Sequence, residues 1–199
     1  PHLIGWQIDN EFGHPICYCP RCLALFREYC ARTFGSAENF NETLNLHFWS
    51  QSLRDFGDLR FALQTTHPGI RHLYRRFFSE CVIDCFSRQA EIVRRECPGV
   101  PVTTNSMVTW HGYDHERMNQ VFDYAAGDWY FDCGIFGEGI HGTVFATAFL
   151  RGLKDGTPPR FQEFRGNASR PGEVRFHTMT AIAAGADHVS YFRWDPCRN

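Results

Sequence analysis

Five short apolar runs, separated by segments whose apolar residues recur every three or four positions, restrict the folds open to this 199-residue chain more than any other feature. The first run, His2 to Asp9, is apolar on nearly every other position or better, the pattern of a strand buried on both faces. From Pro20 to Phe34 the apolar residues Leu23, Phe26, Cys30 and Phe34 step by three and four, with Pro20 near the start and Gly35 just past the end, which predicts an amphipathic helix. A longer helical stretch from Ile70 to Glu96 carries Leu73, Phe77, Cys81, Cys85 and Ile92 on one stripe and stops before Pro98-Gly99. A second strand, Val100 to Met107, is rich in Val and Thr, and a short helical pattern on Met118, Val121 and Phe122 leads to a third strand around Asp128 to Asp132. A helix from His141 to Leu153, a strand from Arg160 to Phe164, a helix from Glu173 to Ala184 closed by Gly185, and a last strand from His188 to Trp194 complete the series. Strands alternating with helices predict an α/β fold, with a parallel sheet, right-handed crossovers and covering helices. No internal repeat or low-complexity linker divides the chain.

Two parallel architectures fit that order. A doubly wound sheet built for nucleotides needs a glycine-rich turn after a strand, and neither G-x-G-x-x-G nor a P-loop occurs. The other is a (β/α)8 TIM barrel, whose active site is made by polar residues at the carboxyl ends of its strands; a whole barrel takes roughly 250 residues, so five strands predict part of one. The strand ends are Asn10-Glu11, Asn105, Asp132, Glu163 and Trp194. With 22 acidic and 20 basic residues and a net charge of −2, the chain has no basic stripe for a phosphate backbone, so nucleic acid is not an expected partner. Nor does any apolar run approach the roughly 20 residues a membrane span requires. A neutral substrate fits this balance.

Two of the strand ends are glutamates, and glycoside hydrolysis needs two carboxyl groups flanking the scissile bond, one to protonate the leaving oxygen and one on the other face of the sugar. A lone charged residue at a strand end is more often solvated or caps a helix, so the pair carries the argument. The string Gly5-Trp6-Gln7-Ile8-Asp9-Asn10-Glu11-Phe12-Gly13 resembles glycoside hydrolase family 42, whose fourth barrel strand ends in an Asn-Glu pair. Cys17-x-Cys19-x-x-Cys22, Asn45, Phe48-Trp49-Ser50-Gln51, Arg76-Phe77, Thr103-Thr104-Asn105 and Gly185-Ala186-Asp187 before Tyr191-Phe192-Arg193-Trp194 extend the resemblance over nearly the whole chain. It implies that the five strands are strands four to eight of a catalytic barrel, with strands one to three in sequence preceding Pro1. It also implies a retaining β-galactosidase in which Glu11 is the acid/base and Glu163 the nucleophile. Asn10 would hold the sugar 2-hydroxyl, Trp49 would form an aromatic wall for the pyranose, and Tyr130 and Trp194 would complete the substrate site. Core packing is the competing role for both tryptophans. A homo-oligomer, trimeric in the family, is a further implication.

Nine cysteines, an odd number unevenly spread, do not form a complete disulfide framework; free buried thiols and a metal cluster suit a reducing cytoplasm. Cys17, Cys19 and Cys22 can present three thiolates to one tetrahedral zinc ion, but a closed structural site needs a fourth ligand. By the resemblance that ligand is an upstream cysteine; His14 and Cys30 are the local substitutes. Such a zinc would be structural, because hydrolysis by a glutamate pair requires no metal. The segment from Arg165 to Gly172 looks shorter than the family's loop and lacks its tryptophan, which leaves substrate preference open among galactosides, glucosides, arabinosides and endo-glycans. A piece with only a carbohydrate-binding or structural role is the non-enzymatic alternative.

Overall fold

The protein, described here from a computed structural model, is defined over residues 3–13, 15–60, 67–108, 110–131, 140–165 and 170–193, without the side chain of Trp49. Its elements in chain order are β1 (Trp6–Gln7), α1 (Pro20–Phe34), α2 (Ala37–Thr43), two 3-10 turns (Phe48–Ser50 and Phe56–Asp58), α3 (Pro68–Glu96), β2 (Val102–Thr103), β3 (Ser106–Met107), α4 (His115–Asn119), β4 (Ala126–Tyr130), α5 (Ile140–Gly152), β5 (Arg160–Arg165), α6 (Glu173–Ala183) and β6 (His188–Tyr191). The chain divides into two compact units, one formed by residues 1–12 and 83–199 and the other by residues 13–82, with the division inside α3.

All strands belong to the first unit. β1 pairs with β2, and β3, β4, β5 and β6 pair in that order, every pairing parallel. Spatial order therefore follows chain order without the reversal that defines a doubly wound sheet, and the strands form an arc of a (β/α)8 barrel. One face of this arc packs on helices: Trp129, Phe131, Phe161 and Phe164 from the strands meet Ala146 and Leu150 of α5 and Ala181 of α6. The indole N–H of Trp129 donates to Thr143 Oγ1 of α5 at 3.1 Å, which fixes β4 against that layer and satisfies a buried donor. Gly127 permits the close approach of β3 to β4, since a Cβ there would lie 2.9 Å from the Ser106 carbonyl oxygen.

The second unit is built on an aromatic core in which Phe26, Tyr29 and Cys30 of α1 pack with Phe40, Leu46, Leu59, Ile70, Leu73, Tyr74 and Phe77. The Phe26 and Tyr74 rings meet edge to face at 4.9 Å. Arg27 reaches the Leu59 carbonyl from Nε and Nη2, at 3.2 and 2.8 Å, and so closes the turn that precedes α3.

Several expectations change. The opening strand is not buried on both faces: Leu3, Ile4 and Trp6 are exposed, because β2 is the one neighbour of β1 among the described residues and Ile8 alone of this run is buried. The stripe on α3 does not continue through Cys81 and Ile92, which are exposed; Val82, Phe86 and Ala90 are buried instead. Each four-residue step overshoots a helical turn by about 40°, so a stripe drawn at that spacing drifts off the packed face over 29 residues. β4 begins two residues earlier than expected, at Ala126, because Ala and Gly carry little intrinsic strand preference yet are buried there. α2 and the 3-10 turns show no clear apolar period, and the strand expected over Val100 to Met107 is interrupted at Thr104-Asn105, where both side chains bond outside the ladder.

Candidate active site

The polar strand ends converge in the first unit as two hydrogen-bonded groups, one around Asn105 and one around Glu163. β1 is carried past its last pair when Ile8 N–H donates to the Thr103 carbonyl at 2.9 Å and the Thr104 hydroxyl donates to the Ile8 carbonyl at 2.8 Å. The backbone then turns through left-handed conformations at Asp9 (φ 56°) and Glu11 (φ 43°), which side chains rarely adopt. Glu11 is held there by its own N–H, which donates to Asn105 Oδ1 at 3.1 Å. Asn105 is 1% exposed, and its Nδ2 donates to Asn10 Oδ1 at 3.0 Å and to Asp128 Oδ2 at 2.7 Å. One buried amide thus ties the residues after β1 to the middle of β4.

Glu163 reaches the same place through an irregularity. Gly127 and Asp128 are consecutive, yet their partners on β5 are Phe161 and Glu163, so Gln162 is an extra residue bulged out of the ladder. The bulge lets Phe161 and Phe164, three apart, both enter the helix-facing core, and sets Glu163 opposite Asp128. The Tyr130 hydroxyl donates to Glu163 Oε2. Tyr113 approaches from the segment before α4, where its hydroxyl accepts from Met107 N–H at 3.2 Å.

Electrostatics bind these residues into one system. Burial and then the charge of Glu163 push the Asp128 carboxyl up to about 8; the Asn105 amide opposes this, and Glu11 adds to it. At neutral pH Asp128 is therefore mostly protonated. The Tyr130 phenol is raised by burial, by its hydrogen bond to Glu163 and by the charges of Glu163, Asp128 and Glu11, so it remains a donor. Tyr113 is raised chiefly by burial, with Asp128 and Glu11 adding to it. Donors and carboxyls concentrated at the carboxyl ends of successive parallel strands can protonate an oxygen on one side of a ligand and offer a nucleophile on the other.

Of the residues singled out from sequence, Asn10, Glu11, Tyr130 and Glu163 share this array. Trp194, Asp132 and His14 lie outside the described residues, and Trp49 stands in the 3-10 turn Phe48–Ser50 of the second unit. Cys17, Cys19 and Cys22 also belong to the second unit, and their sulfurs lie within 4.8 Å of one another. Cys19 precedes α1, whose first residue is Pro20, and the Tyr74 hydroxyl donates to the Cys17 carbonyl while its ring stacks on Tyr18. The N–H of Cys22 brings the Cys19 thiol down to about 7, whereas burial drives Cys22 up to about 12. Cys30 is a wholly buried member of the aromatic core and stands apart from the three, which removes it as a fourth ligand. Sequence reasoning missed Asp128, Asn105 as the bridge, and Tyr113. A charged residue following Ala125, Ala126 and Gly127 inside a buried strand was the available signal for Asp128.

A family model described as β-galactosidase matches residues 1–199, and the chain belongs to glycoside hydrolase family 42. A β-galactosidase of Thermus thermophilus is 32% identical over 221 aligned positions, covering 96% of this chain and 34% of its own length. The β-galactosidase BglY of Alicyclobacillus acidocaldarius is 28% identical, covering 100% of this chain and 31% of its own. Among solved structures, the β-galactosidase of the Antarctic haloarchaeon Halorubrum lacusprofundi superposes with a TM-score of 0.88 at 28% identity, covering 100% of this chain and 34% of that one. That of Bacillus circulans sp. alkalophilus gives 0.87 at 29%, covering 98% and 31%. The chain spans about a third of the length of the curated relatives it matches. No described helix is long and apolar enough to cross a membrane.

Proposed function

We propose that this chain carries the two reacting carboxyls of a retaining β-galactosidase, with Glu11 as acid/base and Glu163 as nucleophile. The observation that supports this most is the meeting, at the ends of parallel strands, of two hydrogen-bonded groups, Asn10 and Glu11 with Asn105 and Asp128, and Tyr130 with Glu163, which lies opposite Asp128 in the ladder. In the first step Glu163 attacks the anomeric carbon while Glu11 gives its proton to the departing glycosidic oxygen. The Tyr130 hydroxyl donates to Glu163 Oε2 and so helps to hold the carboxylate in place for attack. In the second step Glu11 takes a proton from water, which attacks the same carbon and restores Glu163. Two inversions leave the β configuration unchanged. The amide of Asn10 donates to the 2-hydroxyl of the sugar.

The substrate class is a terminal β-D-galactoside. Proton NMR of an aryl β-galactoside digested by the complete protein should show β-galactose first, with aryl β-glucoside and arabinoside turned over more slowly. First release of α-galactose would overturn the double displacement, and faster cleavage of the glucoside or arabinoside would overturn the substrate.

Cys17, Cys19 and Cys22 are proposed to hold a structural zinc ion together with a fourth ligand. The donor set supports this, since three sulfurs within 4.8 Å match three corners of a thiolate tetrahedron. Zinc there would cross-link the loop before α1 and take no part in hydrolysis. Elemental analysis of protein prepared without chelator should find about one zinc per chain, and none would remove the site.

A further inference from the structure

Asp128 has no part in the double displacement, yet it is 7% exposed, lies opposite Glu163 in the ladder and sits within the same hydrogen-bonded chain as Asn10 and Glu11. The direction of every bond in that chain follows from one fixed donor. The backbone N–H of Glu11 can only donate, so the Asn105 atom facing it is the carbonyl oxygen. The Asn105 NH2 group then points at Asp128 and Asn10, and Asn10 must meet it with Oδ1. This leaves the NH2 group of Asn10 directed away from Asn105 as a donor. Asp128 completes the set by accepting the second Nδ2 proton of Asn105, which otherwise would be a buried donor without a partner.

We propose that Asp128 is a positioning residue that, through the buried amide of Asn105, fixes Asn10 with its NH2 turned toward the substrate 2-hydroxyl. The inference rests on the function proposed above. Its chemistry requires an acceptor at Oδ2 and no negative charge, in keeping with a carboxyl pushed up to about 8 by burial and by Glu163. Asparagine at this position satisfies the same requirement, since its Oδ1 can accept from Asn105. Alanine does not. Because the hydrogen bond to the 2-hydroxyl strengthens in the transition state, the loss falls on kcat more than on KM.

The test compares an aryl β-galactoside with its 2-deoxy analogue in the complete protein and in the Asp128→Ala and Asp128→Asn variants. Asp128→Ala is expected to lower kcat/KM on the galactoside by about 10- to 100-fold, the effect of one buried hydrogen bond and the orientation it sets. On the 2-deoxy substrate it should change kcat/KM by less than about 3-fold, and Asp128→Asn should keep the galactoside rate within about 3-fold of the unsubstituted protein. Equal losses on both substrates, or no loss on either, overturn the proposal. If Asp128→Ala does not fold, Asp128→Leu, which fills the space without offering an acceptor, is read with the same two substrates: a loss confined to the galactoside supports the proposal, and an equal loss overturns it. Should the unsubstituted protein turn over neither substrate, the proposed function fails, and the positioning role with it.

Discussion

The carboxyl array of the first unit and the thiol trio of the second differ in how the chain assembles them. Asn10, Glu11, Asn105, Asp128, Tyr130 and Glu163 come from segments as much as 153 residues apart and meet because parallel strands end side by side. Cys17, Cys19 and Cys22 lie within six residues and meet because the chain turns into α1. The first set is tuned by burial, like charges and a buried amide; the second stands largely in solvent, with Cys17 and Cys19 exposed. A site drawn from distant strands depends on the whole fold to form and can perform chemistry that needs groups on two sides of a ligand. A contiguous site depends on local chain geometry and suits a cross-link.

That contrast predicts a steep ranking of substitutions. Glu163→Gln keeps the shape and removes the nucleophile, and should lower turnover of an aryl β-galactoside by at least on the order of 10^4-fold; a loss under tenfold would place the nucleophile elsewhere. Tyr130→Phe removes the donor to Glu163 Oε2 and is expected to lower kcat by about 10- to 100-fold with little change in KM, read by steady-state kinetics.

A third prediction concerns pH and stability. Asp128 titrates near 8 when folded and near its ordinary value of 3.8 when unfolded, so between those pH values the folded state keeps a proton that the unfolded chain releases. Its contribution is complete below about pH 4 and is lost as pH rises toward 8, at up to about 1.4 kcal/mol per pH unit. Glu11, Glu163, Tyr113 and Tyr130 face it and set the field in which it titrates. Asp128→Asn should therefore flatten the fall of Tm between pH 5 and 8, and an unchanged slope in thermal melts would contradict the assignment. The smallest effect on turnover belongs to the triple change of Cys17, Cys19 and Cys22 to Ser: less than about 2-fold in kcat at 25 °C, with a Tm lower by several degrees. A loss of turnover as large as that of Tyr130→Phe would erase the distinction between the two regions.

Legibility in the sequence follows the same division. The alternation of strands and helices was readable because each element carries its own period and stop signal; α1 runs from Pro20 to Phe34 as its proline and glycine indicate. Glu11 and Glu163 were readable as polar residues closing apolar runs. From sequence Asp128 reads as the first residue of its strand, since Ala125, Ala126 and Gly127 give no strand signal, and nothing local announces the Gln162 bulge that sets Glu163 opposite it. Asn105 was readable as a strand end, but its bridging role depends on the Glu11 N–H 94 residues away, a relation no local pattern encodes. The cysteine trio was visible at once as a motif, while the exclusion of Cys30 needed the aromatic core that buries it.

The most direct test of the account is covalent trapping of the nucleophile. A 2-fluoro-β-galactoside with an activated leaving group should inactivate the complete protein and leave a 2-fluorogalactosyl ester on the peptide containing Glu163, located by mass spectrometry after proteolysis. A label on any other residue, or inactivation of the Glu163→Gln variant at the same rate, would contradict it.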